Sequence, residues 1–150
     1  MWVIPPGALA ERQRLVRPQA PALYEDVLAG KVELCEPALW EYEVAGVIAR
    51  GVGAGRMSEE EGLVAIDLVR RLQVVRLPLP PLAEAYRVAR KFRRTLWDSL
   101  YLECTEQNSA TFWTGDERLY NGVKDEWSWV KWIGNYPLRR RRARRRTGEQ

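Results

Sequence analysis

Three acidic residues in this sequence occupy positions at which α/β proteins carry catalytic or ligand-binding side chains. Glu43 lies in a predicted helix after a short apolar strand, Asp98 lies in the first turn of another helix, and Asp116 follows the strand-like run 110–114. Ligands of open parallel sheets bind beyond the carboxyl ends of the strands, so these carboxylates are expected to converge there. Converging carboxylates repel one another unless a cation neutralises them, and Mg²⁺ and Mn²⁺ prefer such oxygen ligands. The pattern therefore predicts metal-assisted hydrolysis of a phosphodiester.

The amino-acid composition excludes several classes of catalytic and metal site. The chain contains no histidine, which excludes Ser-His-Asp and Cys-His nucleophiles and histidine-ligated zinc. Its two cysteines, Cys35 and Cys104, are too few for a disulfide framework or a four-thiolate metal site. Both lie among apolar residues, which predicts buried free thiols. Catalysis in this chain is therefore expected to rest on carboxylates, hydroxyls, basic side chains or a hard metal ion.

Each of the three acids also has a purely structural interpretation. Asp98 falls three residues after Thr95, where a carboxylate stabilises the free amides at a helix start. Asp116 is placed to be the N-cap of the next helix, and Glu43 lies on a helix that also carries Glu41. Residues two apart on a helix point about 200° apart, so one of the two glutamates at most faces a shared site. A structural α/β domain whose acids are helix caps is thus one alternative.

Strand and helix patterns alternate along the chain. The predicted helices are 22–29, 37–51, 59–72, 82–92, 96–107 and 117–123, and the predicted strands are 31–35, 74–77, 110–114 and 129–133. Such alternation implies βαβ units, and hence an α/β fold with a parallel sheet covered by helices. Ser58 and Glu61 form a capping-box pattern before the third helix.

Three segments together resemble the motifs of PIN domains. Residues 37–48 (Pro-Ala-Leu-Trp-Glu-Tyr-Glu-Val-Ala-Gly-Val-Ile) are similar to the family's second motif, residues 97–102 (Trp-Asp-Ser-Leu-Tyr-Leu) to its Tyr-Asp-Ala block, and residues 112–119 to its Thr-x-Asp-x-x-Leu block. The resemblance covers about 22–137 and is greatest to toxins of the VapC type. It implies a three-layer α/β/α fold and a metal-dependent endoribonuclease, homodimeric and held in check by a small antitoxin protein.

The resemblance also implies roles for individual residues. Glu43, Asp98 and Asp116 match the metal-site acids, which implies Mg²⁺ or Mn²⁺ as the cofactor. Thr114 matches the hydroxyl residue beside the last acid, and Asn121, one turn further on, is assigned a polar role near the metal.

One departure from the family concerns its first strand, which is central in the sheet and ends in a fourth acid. Residues 1–10 contain no acid, so the chain is expected to lack that strand and its aspartate, through truncation or degeneration. Residues 2–4 would fill part of the gap, leaving neighbouring strands incompletely paired. This departure motivates the alternative of a catalytically inactive PIN-like module that binds an antitoxin or RNA.

The predicted organisation has three parts: a lead-in over 1–21, a PIN-like domain over 22–138 and an Arg-rich tail over 139–150. The net charge is +4, yet 17 basic and 19 acidic residues remain without the tail, giving −2. The first tail arginines are candidate RNA contacts: Arg139, Arg140, Arg141 and Arg142. No apolar run is long enough for a membrane span or a signal peptide, so a cytoplasmic location is expected.

Overall fold

The computed structural model describes the backbone at Trp2–Val3 and the chain over residues 18–138. In that part of the chain the strands are β1 (Trp2–Val3), β2 (Cys35–Pro37), β3 (Val75–Leu77), β4 (Thr111–Thr114) and β5 (Val130–Trp132). The helices are α1 (Gln19–Leu28), α2 (Trp40–Gly53), α3 (Glu59–Arg71), α4 (Leu82–Phe92), α5 (Leu96–Gln107) and α6 (Glu117–Val123), followed by a 3₁₀ turn at Ile133–Asn135. The predicted α/β class is confirmed. Most of the predicted lead-in and the whole Arg-rich tail lie outside the described residues.

The strands form two small sheets whose pairings are all parallel. One sheet has the order β1-β4-β5 and the other pairs β2 with β3. Trp2 is in register with Thr111, and β1 also lies against β2, between the two sheets. Trp2 and Val3 therefore form a short parallel strand beside β4. With two residues, β1 is too short to join the two ladders into one hydrogen-bonded sheet.

Helix α5 carries much of the core because it packs across β1, β2 and β4 while lying against α4. Leu102 on α5 is fully buried, as is Phe112 on β4, and both belong to the main apolar cluster. Trp113, the next residue on β4, instead joins a smaller cluster with Leu23 of α1 and Tyr136. Since neighbouring strand residues point to opposite faces, β4 is buried on both sides. The burial of these large side chains stabilises the fold by roughly 2 kcal/mol each.

The largest differences from the predicted boundaries are at the starts of α1 and α2 and in β2, which runs over Cys35–Pro37 rather than 31–35. Helix α1 begins at Gln19 rather than at residue 22, because Pro21 sits in the first turn, where its missing N–H has no intrahelical partner to lose. Strand β2 runs to Pro37, and the amide of Ala38 still donates to the carbonyl of Leu77 at 3.0 Å. Helix α2 consequently begins at Trp40, three residues beyond the predicted start.

Candidate functional site

Glu43 and Tyr101 form a hydrogen bond that links α2 to α5. The hydroxyl of Tyr101 donates to Oε2 of Glu43. Tyr101 is 2% exposed, and its ring lies 6.3 Å from that of Phe112, so the core fixes the position of its hydroxyl. Glu43 is half-buried in the first turn of α2. The bond therefore holds one carboxylate in a defined place beside the start of α5.

The electrostatics of this site show that Glu43 and Asp98 are neighbours. Burial raises the pKa of Glu43 above its ordinary value, and the negative charge of Asp98 raises it further, while the hydrogen bond from Tyr101 acts in the opposite direction. Burial and the bond to Glu43 also raise the pKa of Tyr101, so its hydroxyl keeps its proton and remains a donor. The structure thus brings two of the three predicted acids close enough for their charges to repel.

Asp98 also closes the N-terminus of α5. Its amide donates to Oγ1 of Thr95 at 3.1 Å, and its Oδ2 accepts from the Thr95 amide at 3.4 Å, forming a capping box. The structural interpretation of Asp98 as a capping residue is confirmed. The bond from the Thr95 amide restricts the rotamer of the Asp98 carboxylate, and the bond to Oγ1 fixes the backbone of Asp98.

Asp116 is the N-cap of α6, as its structural interpretation predicts. Its Oδ1 accepts from the amide of Leu119 at 2.9 Å. Thr114, fully buried at the end of β4, accepts from the Asp116 amide at 3.0 Å and so fixes the turn between strand and helix. Asn121 is exposed and its Oδ1 accepts from Lys124 at 2.9 Å. The side chain of Asn121 is therefore bonded to a residue at the end of its own helix.

The two glutamates of α2 diverge as the helical geometry predicts. Glu41 forms an ion pair with Arg76 of β3, whereas Glu43 bonds to Tyr101 of α5. Glu43 is consequently the α2 acid that faces Asp98.

A fourth acid, Glu36, is buried near this site and is not among the acids predicted from the sequence. It lies in β2 with 1% of its surface exposed, and its charge raises the pKa of Tyr101 and of Cys104. Together with burial, which is the larger cause, that charge raises the pKa of Cys104 to about 11. The burial of Glu36 has a signal in the sequence, because Val32, Leu34 and Glu36 occupy every second position and so share one face of a strand. Both cysteines are buried and neither forms a disulfide, as predicted.

Within residues 18–138, the histidine, cysteine, aspartate and glutamate side chains form no group of three or more that could hold a metal ion. Of the three predicted acids, Glu43 and Asp98 interact through their charges, while Asp116 caps α6. The candidate RNA-contacting arginines at 139–142 lie outside the described residues. No helix in the described part of the chain is both long and apolar enough to cross a bilayer.

Comparison with known proteins supports the fold. The structure is similar to the crystal structure of PAE2754 from Pyrobaculum aerophilum, with a TM-score of 0.65 and 22% sequence identity over 82% of this chain and 79% of the other. No protein-family model matches the sequence. The search of curated proteins gives no match either.

Proposed function

We propose that this protein is a divalent-cation-dependent endoribonuclease built on a PIN-like, three-layer α/β/α fold. The observation that carries the proposal is the neighbouring pair Glu43 and Asp98, contributed by the first turns of two helices. The α2 acid lies just beyond β2, at the carboxyl end of a parallel strand, where α/β proteins bind ligands. The absence of histidine favours carboxylate-held metal over imidazole chemistry.

The donor set fits Mg²⁺ or Mn²⁺ held largely by water. Mg²⁺ is usually bound by one or two carboxylates together with water and substrate phosphate. Glu43 and Asp98 supply two such carboxylates, and their mutual repulsion is what a cation would relieve. Asp116, which the PIN resemblance implies as a third ligand, caps its helix through Oδ1, and it forms no three-acid group with this pair among the described residues. When bound, the cation would supply an activated water and stabilise the negative charge that develops on the phosphodiester.

The surrounding residues position these carboxylates. Tyr101 orients Glu43 through its hydroxyl and also favours the ionised form of that side chain. Thr95 restrains Asp98 through the capping box, and Thr114 restrains the turn that presents Asp116. These supporting bonds matter because a ligand held by the protein need not be ordered when the cation or substrate binds.

The proposal is tested with Asp98→Asn, which keeps an oxygen for the Thr95 amide but removes the charge. We expect cleavage of a labelled RNA in Mn²⁺ to fall at least about a hundredfold, a loss typical of removing a metal ligand or its support. Asp125→Asn, at an exposed aspartate outside the site, is the matched control and should cleave like the wild type. A wild-type protein that cuts no RNA in Mn²⁺, or an Asp98→Asn variant of full activity, would overturn the proposal.

The second candidate is an inactive PIN-like module that binds an antitoxin or RNA. What favours it is that Asp98 and Asp116 both serve as helix caps. Titration calorimetry with Mn²⁺ separates the two candidates. A Mn²⁺ site that Asp98→Asn abolishes supports the nuclease, and the lack of any Mn²⁺ binding supports the module.

A homodimer and a small antitoxin partner belong to the same proposal. On α3, Leu63, Val64 and Leu68 are each more than half exposed, and apolar exposure of this kind is typical of protein contacts. Light scattering of the purified chain, alone and with a candidate antitoxin, tests both partners.

A further inference from the structure

We propose that Trp97 and Tyr42 form a stacking subsite for unpaired nucleic-acid bases, with Arg94 as its phosphate contact. The inference builds on the proposed ribonuclease, whose substrate it restricts to single-stranded segments. The three side chains lie next to Glu43, Asp98 and the Thr95 cap in the sequence.

Trp97 is placed at the rim of the acid pair. It lies four residues before Tyr101 on α5, and residues at that spacing share one helix face. Because Tyr101 reaches Glu43, the face that carries Trp97 is directed towards α2, one turn closer to the helix start. Trp97 is nevertheless 58% exposed, whereas Trp40, Trp113 and Trp127 are buried. A large apolar ring is thus left open to solvent beside the candidate site.

Tyr42 provides the second ring from the other helix. It precedes Glu43 in the first turn of α2 and is 81% exposed. Each acid of the pair is therefore preceded by an exposed aromatic residue. Base stacking on such rings is tolerant of sequence, because every base has a π-face, and it requires bases that are not already paired in a duplex.

Arg94 brings a cation to the start of α5. Its Nε is buried and has no hydrogen-bond partner among the residues that the structure describes. The guanidinium lies over α6: a Cβ added at Gly122 would be 2.9 Å from its Cζ and its Nε. Arg94 as a whole is partly exposed, and a phosphate oxygen that reaches the exposed part of its guanidinium would form a charge-assisted bond. The charge of Arg94 thus argues for a phosphodiester strand as the occupant of this rim.

The test is fluorescence anisotropy of a labelled single-stranded RNA with the full chain in EDTA, so that no cleavage occurs. Elevated salt suppresses contacts made through phosphates alone. Trp97→Ala and Tyr42→Ala are each expected to weaken binding by roughly 5- to 150-fold, the contribution of one stacked base. Trp97→Phe and Tyr42→Phe keep a ring and should bind within about threefold of the wild type. Tyr86→Ala removes a comparably exposed ring, 59% exposed on α4, and should bind like the wild type.

A second strand with abasic sites in place of its central bases identifies stacking directly. The wild type should bind it more weakly. Trp97→Ala should lose less affinity than the wild type, because it already lacks the ring that stacks on one of the removed bases. Arg94→Gln should weaken both strands by a similar factor. Equal affinity of the two alanine variants and the wild type, failure of the wild type to bind the strand, or equal affinity for the strand and its duplex would each overturn the inference.

The outcome is separable from that of the proposed ribonuclease. Aromatic-dependent binding in EDTA without any cleavage in Mn²⁺ would leave the subsite standing and remove the nuclease. Cleavage in Mn²⁺ that the aromatic variants share at full rate would do the reverse.

Discussion

At the scale of single residues, Glu43 is held under opposing influences. Burial and Asp98 disfavour its charge, while the hydroxyl of Tyr101 favours it. The net result is a carboxyl whose pKa is raised, so its ionised form lowers the stability of the folded state. Such a residue is retained at a cost to stability, which is typical of a site that a ligand completes.

Glu43→Gln tests this balance. A raised pKa means that the folded state binds a proton more readily than the unfolded state, so wild-type stability falls as pH rises above 4.5, the ordinary value for glutamate. The glutamine variant lacks this fall. We expect it to be the more stable protein at neutral pH, by about 1 kcal/mol or less, and to match the wild type below the ordinary pKa.

Urea denaturation of both proteins across the acid-to-neutral range, without divalent ions, measures the difference. Glu41→Gln is the control, since it breaks the partly exposed ion pair with Arg76 and should destabilise by roughly 1 kcal/mol or less. A glutamine variant at position 43 that is less stable than the wild type at neutral pH would contradict the prediction.

At the scale of elements, α3 and α5 begin with the same device. Ser58 and Glu61 form a capping box on α3, and Thr95 and Asp98 form one on α5. The first lies away from the acid pair, while the second includes one of its members. The two helix starts therefore offer a matched comparison of capping with and without a role at the site.

Thr95→Ala and Ser58→Ala should each destabilise the fold by about 1 kcal/mol, because each removes an acceptor for a free helix amide. RNA cleavage should fall for Thr95→Ala alone, since the lost hydroxyl also anchors the backbone amide of Asp98, whereas the Thr95 amide that bonds the carboxylate remains. Thermal unfolding and a cleavage assay performed on the same samples decide this. Equal activity of the two variants would argue that the cap has no part in positioning Asp98.

Substitutions at two glycines in helices distinguish the effect of helix propensity on stability from the effect of packing. Gly53, at the end of α2, has no atom within 4 Å of an added Cβ, whereas a Cβ at Gly62 of α3 would lie 2.9 Å from Cγ2 of Val52. Gly53→Ala should stabilise the protein by about 0.5–1 kcal/mol. Gly62→Ala should destabilise it by about 1 kcal/mol, because the overpacking between α3 and α2 exceeds the gain in helix propensity. Chemical denaturation of both variants measures the contrast, and stabilisation by both would show that the two helices separate freely.

The elements that the sequence predicts best are those set by local chemistry. The caps at Ser58, Thr95 and Asp116 follow from residues three apart, and the structure contains all three. The end of β2 differs from its prediction since it depends on pairing with β3, which lies some forty residues further along. The contact between Glu43 and Tyr101, and the burial of Glu36, likewise depend on tertiary packing that no local pattern contains.

At the scale of the whole molecule, charge is divided unevenly. Residues 139–146 include seven arginines, while residues 1–138 carry 17 basic and 19 acidic side chains. A net-negative body with an acidic site gains little from long-range attraction to RNA, so we propose that the tail arginines would supply it. Affinity and local recognition are accordingly expected to come from different regions of the chain.

Replacing the seven tail arginines by alanine should weaken RNA binding about equally for all sequences. It should also flatten the dependence of log affinity on log salt, by about 0.7 for each phosphate of a single strand that the tail no longer neutralises. Trp97→Ala should leave that slope unchanged. Binding isotherms over a series of salt concentrations measure both, and an unaltered slope in the tail variant would contradict the assignment.

The two-residue strand β1 has a kinetic consequence. Its pairing with β4 joins positions more than one hundred residues apart, yet it yields a ladder of two residues. Closing so long a loop carries a large entropy cost for few bonds, so this pairing is expected to form late in folding and to open first in the native state. Amide hydrogen exchange at Thr111 should then report opening at β1, while the Phe112 amide, which donates to the carbonyl of Trp129 beside β5, stays protected. The amides at the centre of the strands, which ordinarily exchange slowest, would therefore include some that open readily in this protein.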